Sequence, residues 1–154
     1  MNRISILDFF KTGKFGYVEL GFSKSQVISF IGKNTKIYYC ISGEILKYGD
    51  MEFHFSDDEL VMIFCDSLKF LYGDLNLGKE IDFEPWIFKK NKIYSFKQIQ
   101  EELEKENIIF IIKESNNSIE ILLESGVKFI FENESTLDLK FANAILVGFE
   151  FSIF

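Results

Sequence analysis

One proline, one histidine, one tryptophan and two cysteines in 154 residues leave this chain little from which to build a reactive site. Each scarcity removes a class of chemistry. A single histidine, His54, cannot supply the paired imidazoles of a zinc site, and Cys40 and Cys65 do not form a C-x-x-C pair. The neighbours of both cysteines are apolar or hydroxyl-bearing rather than cationic, so a low-pKa thiolate nucleophile is not expected. Asp57-Asp58-Glu59 lacks the spaced oxygen ligands and glycine of a calcium loop, and Gly13-Lys14-Phe15-Gly16 lacks the spacing of a phosphate loop. No metal and no cofactor is therefore expected. Basic residues are outnumbered, 17 against 24, and the lysines are scattered over a chain of net charge −7, which argues against direct nucleic-acid binding. Long apolar runs are missing as well: no stretch approaches a membrane span, and Asp8 interrupts the apolar core that a signal peptide would need. A cytoplasmic protein is expected. There the two thiols act as small hydrophobes within strands, a disulfide between them being the minor alternative.

What the chain has in abundance is phenylalanine, 19 residues, within 47% hydrophobic residues overall. It also repeats itself. Glu44-Ile45-Leu46 followed by Phe53 and Phe55 returns ungapped, 76 residues later, as Glu120-Ile121-Leu122 followed by Phe129 and Phe131. Upstream of each copy lies a Ser-x-x-Gln capping box, Ser23 to Gln26 and Ser95 to Gln98, offset by 72 residues. Val27, Phe30 and Ile31 follow the first cap, and Ile99 and Leu103 the second, at close to helical spacing. Alternation then takes over, through Ile45, Tyr48, Met51, Phe53, Phe55, Val61, Ile63 and Cys65, and again through Ile121, Leu123, Val127, Phe129, Phe131, Leu137, Leu139 and Phe141. Turn residues at Gly49-Asp50 and Ser125-Gly126, and polar breaks at 56–59 and 132–135, separate the strands. The segment of Gly13, Gly16 and Gly21 reads as a turn-rich lead-in strand, and 66–94, with the only proline and tryptophan, as a crossover. Glu101, Glu102, Glu104 and Glu106 form a solvated acidic helix face with Lys97 and Lys105 as partners of Glu101. The expected fold is α+β: a tandem duplication of a helix plus a three- or four-stranded antiparallel meander, helices on one sheet face. The first unit is placed at 1–77 and the second at 78–154. Neither is large enough for a secure core of its own, so one compact body is expected.

The runs Phe10-Lys11-Thr12-Gly13-Lys14-Phe15-Gly16, Leu20-Gly21-Phe22-Ser23-Lys24-Ser25-Gln26-Val27, Ile31-Gly32 and Leu46-Lys47-Tyr48-Gly49-Asp50-Met51-Glu52-Phe53-His54-Phe55 resemble a family of small bacterial proteins, some of them immunity proteins encoded beside polymorphic and contact-dependent toxins. Glu84-Pro85-Trp86 and Ser125-Gly126-Val127-Lys128-Phe129-Ile130-Phe131 look like the same family, so the likeness covers nearly the whole chain. The family's Gly-x-Pro step after the first helix is replaced by Gly32-Lys33-Asn34. At the level of fold, the helix-then-meander unit is similar to the repeat of the secreted β-lactamase inhibitor protein and of the small lipoprotein of the outer-membrane barrel-assembly machinery. Fold likeness alone does not carry function.

Together these features point to a non-enzymatic binding module, most concretely an immunity protein that occludes a cognate toxin domain. An acidic protein would be steered to a basic nuclease toxin. The candidate contact residues are Glu52, His54, Asp57, Asp58, Lys128 and Glu132, which point off the core or lie in turns, and the aromatic anchors Tyr38, Tyr39, Tyr48 and Trp86. At equivalent repeat positions His54 answers to Ile130, Glu52 to Lys128 and Tyr48 to Glu124, so recognition should differ between the halves. Two other readings fit less well: a regulatory scaffold that binds a peptide or its own copy, and a small-molecule binder or hydrolase using His54 as a base.

Overall fold

The computed structural model describes residues 3–33, 36–41, 43–70, 73–79, 81–90, 92–114, 118–132 and 144–154. Two short strands, β1 (Ile4–Ser5) and β6 (Phe83–Glu84), pair in parallel beside the main sheet. Among the described residues the main sheet has eight strands: β2 (Lys36–Cys40), β3 (Gly43–Tyr48), β4 (Met51–Ser56), β5 (Glu59–Cys65), β7 (Phe110–Glu114), β8 (Ser118–Leu123), β9 (Lys128–Glu132) and β10 (Ile145–Ser152). Their spatial order is β2-β3-β4-β5-β10-β9-β8-β7, with every pairing antiparallel. The helices among the described residues are α1 (Ile6–Thr12), α2 (Lys24–Ile31) and α3 (Phe96–Lys105). The fold is α+β, as expected.

Both capping boxes form. Ser23 and Ser95 each accept from the N3 amide while Gln26 and Gln98 reach back to the N-cap amide. Beside the caps, two backbone hydrogen bonds of the first half have counterparts in the second. The Leu60 amide donates to the Phe22 carbonyl and the Leu146 amide to the Tyr94 carbonyl, while the amides of Lys24 and Phe96 donate to the carbonyls of Asp58 and Ala144. A β-bulge interrupts β4–β5 at Val61 and β9–β10 at Val147, next to the matched pairs Phe55 with Leu60 and Phe131 with Leu146.

This matching corrects the phase of the repeat. The core face of β3 is Leu46 and Tyr48, and that of β8 is Ile119, Ile121 and Leu123, so Leu46 corresponds to Ile121 and Tyr48 to Leu123. The Glu-Ile-Leu identity is out of step by one residue. The hairpins explain why. Gly49-Asp50 is a two-residue loop with positive φ at its first position, whereas Glu124-Ser125-Gly126 is a three-residue loop closed by the Leu123 amide on the Val127 carbonyl. Ile45 thus faces away from the core, and Glu124 is a loop residue rather than the counterpart of Tyr48. Val61, at the bulge, leaves the core positions to Leu60, Ile63 and Cys65. Leu137, Leu139 and Phe141 lie outside the described residues; the strand that mirrors β5 is β10.

Helix α1 was not expected; it precedes the segment of Gly13, Gly16 and Gly21, which forms turns with an isolated bridge between Phe15 and Val18 rather than the expected lead-in strand. Ser5 caps it by accepting from the Asp8 amide, Gly13 ends it in the left-handed conformation, and Ile6, Phe9 and Phe10 are fully buried. Phe10 meets Phe129 at 4.8 Å and Phe149 at 5.1 Å between ring centroids, which puts α1 over the junction of the halves. Helix α2 lies against β3, where the Tyr48 hydroxyl donates to the Gly32 carbonyl at 2.7 Å and Lys24 pairs with Glu44. On the other side α3 lies over β9 through Phe96 and Phe131, 5.2 Å apart. All three helices cover the same sheet face, and a single hydrophobic cluster runs through both halves. The crossover contributes Phe88, stacked on Phe149, and Trp86, whose ring meets Phe10 and Phe88 edge-on.

Candidate functional site

Among the described residues no helix covers the other face of the sheet, and that is where the candidate site lies. Strand register shows what it carries. Directly opposed residues form one row across all eight strands: Lys36, Lys47, Glu52, Phe64, Glu150, Lys128, Leu122, Ile111. Seven strand spacings make the row about 34 Å long. Phe64 and Glu150 stand at its centre on β5 and β10 and are equivalent positions of the two halves, as are Glu52 and Lys128. Beside the row Tyr38, Ile45, His54 and Met62 form a second line on the first half, and Ile130 lies opposite Glu120 on the second.

Two ion-pair clusters occupy matching places with opposite sign. On the first half the Glu52 carboxylate sits between two nitrogens: Lys47 Nζ is 3.0 Å from Oε1 and His54 Nε2 is 3.1 Å from Oε2. On the second half the Lys128 ammonium sits between carboxylates, 3.2 Å from Glu150 and 3.8 Å from Glu120. These side chains are only partly covered, with Lys47 35% and Glu52 18% exposed. The Glu52 hydrogen bond raises the Lys47 pKa above its ordinary 10.5, against the opposing effect of burial. His54 also lies edge-on to Phe64, ring centroids 6.0 Å apart. Among the described residues its hydrogen-bond partner is Glu52, and its cross-strand neighbours are Ile45 and Met62.

The expected contact residues divide accordingly. Glu52, His54 and Lys128 belong to the open face, as does Tyr38, opposite Ile45 and 47% exposed. Glu132 is exposed at the end of β9. Tyr39 is 77% exposed on the helix-side face of the edge strand β2, opposite Glu44. Asp57 and Asp58 make the β4–β5 hairpin, both at positive φ, +49° and +66°. Their turn borders a cavity of about 240 Å³ lined by Lys24, Gly43, Glu44 and Phe55. Tyr48 is no surface anchor: it is 4% exposed and its hydroxyl is committed to Gly32. Trp86 is likewise turned into the crossover, held at φ +53° by ring packing and by its amide donating to Glu84 Oε1 at 2.8 Å. Phe64, Met62, Ile45 and Lys47, central to the face, were not foreseen; the alternation of β5 around Ile63 and Cys65 was the signal that could have exposed Phe64.

The thiols separate too. Cys65 is buried in the core, where desolvation pushes its pKa up to about 12, whereas Cys40 is exposed on β2, contrary to the expectation of two buried hydrophobes. Both are free. On the helix side Lys105 pairs with Glu102 at 2.5 Å, while Lys97 reaches Glu101 at 4.0 Å.

Compared with protein-family models, with curated proteins and with solved structures, the chain matches none. No described helix is long and apolar enough to cross a membrane.

Proposed function

We propose that the chain is a non-enzymatic protein-binding module that docks a partner on the open face of its sheet, and that the partner is a bacterial toxin domain it neutralises as an immunity protein. The observation that carries this reading is that the described helices all pack on one face of the sheet and, among the described residues, leave the other open. Rows about 34 Å long and strands about 17 Å deep give several hundred square ångströms, near the ~800 Å² per partner of a standard interface. Partly buried apolar residues at its middle, Phe64, Met62, Ile45, Leu122 and Ile130, lie among paired charges, the composition of an interface core with a polar surround. The same reading takes the matched caps, bulges and registers as a tandem duplication, the architecture likened above to the β-lactamase inhibitor protein. It also places the protein in the cytoplasm, with a basic nuclease as the toxin favoured by the net charge of −7.

For the hydrolase alternative His54 would act as a base on water, and the side chains around the Glu52–His54 pair are Lys47, Ile45, Met62 and Phe64. The scaffold alternative has one observation in its favour: the edge strands expose Ile37 and Tyr39 on β2 and Ile111 and Ile112 on β7, groups that a peptide strand or a second copy would cover. Co-expression with the toxin domain encoded beside the gene is the test. Growth rescued by the wild type and lost with Phe64→Lys, whose side chain is outside the core, supports immunity through the open face. Toxicity unchanged by the wild type refutes it.

A further inference from the structure

We propose that the Lys36–Lys47 corner of the open face is the anchor for a carboxylate side chain of the protein partner, an inference that rests on the open face being the docking surface. Hairpin register sets Lys36 directly opposite Lys47 with both side chains on the open face. Like charges at directly opposed positions destabilise a strand pair. The neighbouring carboxylate in the row, Glu52, is shared between Lys47 at 3.0 Å and His54 at 3.1 Å. Glu52 thus already serves two nitrogen-bearing side chains, Asp66 acts on Lys47 only as a weaker charge, and Lys36 adds a second ammonium at this corner of a chain whose net charge is −7.

The scaffold does not demand this. The equivalent corner of the other half sets Ile111 opposite Leu122 in the same register, an apolar pair of the kind that favours a hairpin. A carboxylate arriving from a partner would balance the second ammonium, and Tyr38, the next open-face residue of β2 at 47% exposure, offers its phenol beside it. A second copy is a poor occupant. With the two sheets centred on one another, Lys36 and Lys47 would meet Ile111 and Leu122, or their own counterparts, and neither arrangement brings an acid. The partner is therefore a different protein with an acidic side chain at this point of its surface, whatever its overall charge.

The test uses the full chain, the variants Lys36→Glu and Lys36→Gln, and Lys97→Gln as a control that removes one positive charge from the helix side. Two readouts are needed. In the free protein, Lys36→Glu turns a like-charged pair into an opposed one, and its urea midpoint should rise. In calorimetric titration with the toxin domain encoded beside the gene, Lys36→Glu should lose tenfold or more in affinity, Lys36→Gln less, and Lys97→Gln under twofold. Stability gained while affinity is lost marks a residue kept for binding. An unchanged or lowered midpoint for Lys36→Glu overturns the anchor. So does wild-type-like affinity of that variant, which leaves the docking face standing, or an equal loss with Lys97→Gln. If the wild type itself does not bind this domain, the docking reading falls and the anchor with it.

Discussion

Phe149→Ala should unfold both halves of the protein together and early. Phe149 lies on β10, is fully buried, and meets the rings of Phe10, Phe88, Phe9 and Phe129 at 5.1, 6.1, 6.2 and 6.3 Å. These neighbours come from α1, the crossover and β9, which cannot all collapse into the space left behind. Truncation should cost about 4 kcal/mol, the middle of the range for a buried phenylalanine. Against a total stability of roughly 5–15 kcal/mol that is a large fraction. With a urea slope near ~2 kcal/mol/M the midpoint should fall by about 2 M. Urea unfolding followed by the fluorescence of Trp86, the only tryptophan, and by far-UV circular dichroism checks this, because Trp86 reports the crossover while dichroism reports the whole sheet. The two curves should coincide and move together. Phe149→Leu, which keeps most of the volume, should cost less than ~1.5 kcal/mol. Two separated transitions in Phe149→Ala, or a loss below ~1 kcal/mol, would refute the idea of one core shared by both halves.

Three further outcomes are expected. Tyr48→Phe removes the hydrogen bond that this side chain, 4% exposed, donates to the Gly32 carbonyl and should lower stability by about 1 kcal/mol in thermal or urea unfolding, with no change in any binding activity. Thiol titration at pH 8 should find one fast-reacting group in the native state, Cys40, and two in denaturant, because Cys65 is buried with its pKa pushed up to about 12. For pH, the Lys47 ammonium is held above its ordinary 10.5 by Glu52, so its contribution is complete below pH 10.5 and is lost as pH rises through the folded-state value. The group is about a third exposed, so only a few tenths of a kcal/mol are at stake. Unfolding midpoints of Lys47→Met and wild type should therefore converge above that range; a gap that persists or widens there contradicts the assignment.

Local signals in the sequence proved the most legible. Both Ser-x-x-Gln boxes close as written because cap geometry involves four consecutive residues and little else. The β4 and β9 alternation placed His54 beside Glu52 and off the core for the same reason, since a period of two needs no partner strand to be read. Phase across the hairpin was not legible. The Glu-Ile-Leu identity was a stronger lure than the buried sets Leu46/Tyr48 and Ile121/Leu123, and the extra loop residue in Glu124-Ser125-Gly126 shows only when the strands are paired. Helix α1 was missed although Ile6, Phe9 and Phe10 carry helical spacing behind a Ser5–Asp8 cap; seven residues form a helix here because tertiary packing holds them. Tyr48 and Trp86 were misjudged as anchors because a ring with a polar tip suits an interface and a core equally, and their partners, Gly32 and Glu84, reveal themselves only in space. The transverse row could not be read at all, as it depends on β5 lying beside β10.

That adjacency has a consequence for how the protein comes into being. Of the two strands that share the middle of the main sheet, β5 and β10, β10 is the last described strand in chain order. Until β10 has been synthesised, β5 and β9 are both raw edges, and the rings of Phe9 and Phe10 lack the wall that Phe149 supplies. The nascent chain can form two half-sheets but cannot join them, and the slow, long-range contacts that close the sheet come at the end. During translation the protein would present two sticky strands side by side, inviting capture by chaperones or pairing with a neighbouring nascent copy. A strand that arrives last and sits in the centre acts as a keystone, so a truncation reaching into β10 would leave two unjoined halves rather than a slightly smaller sheet.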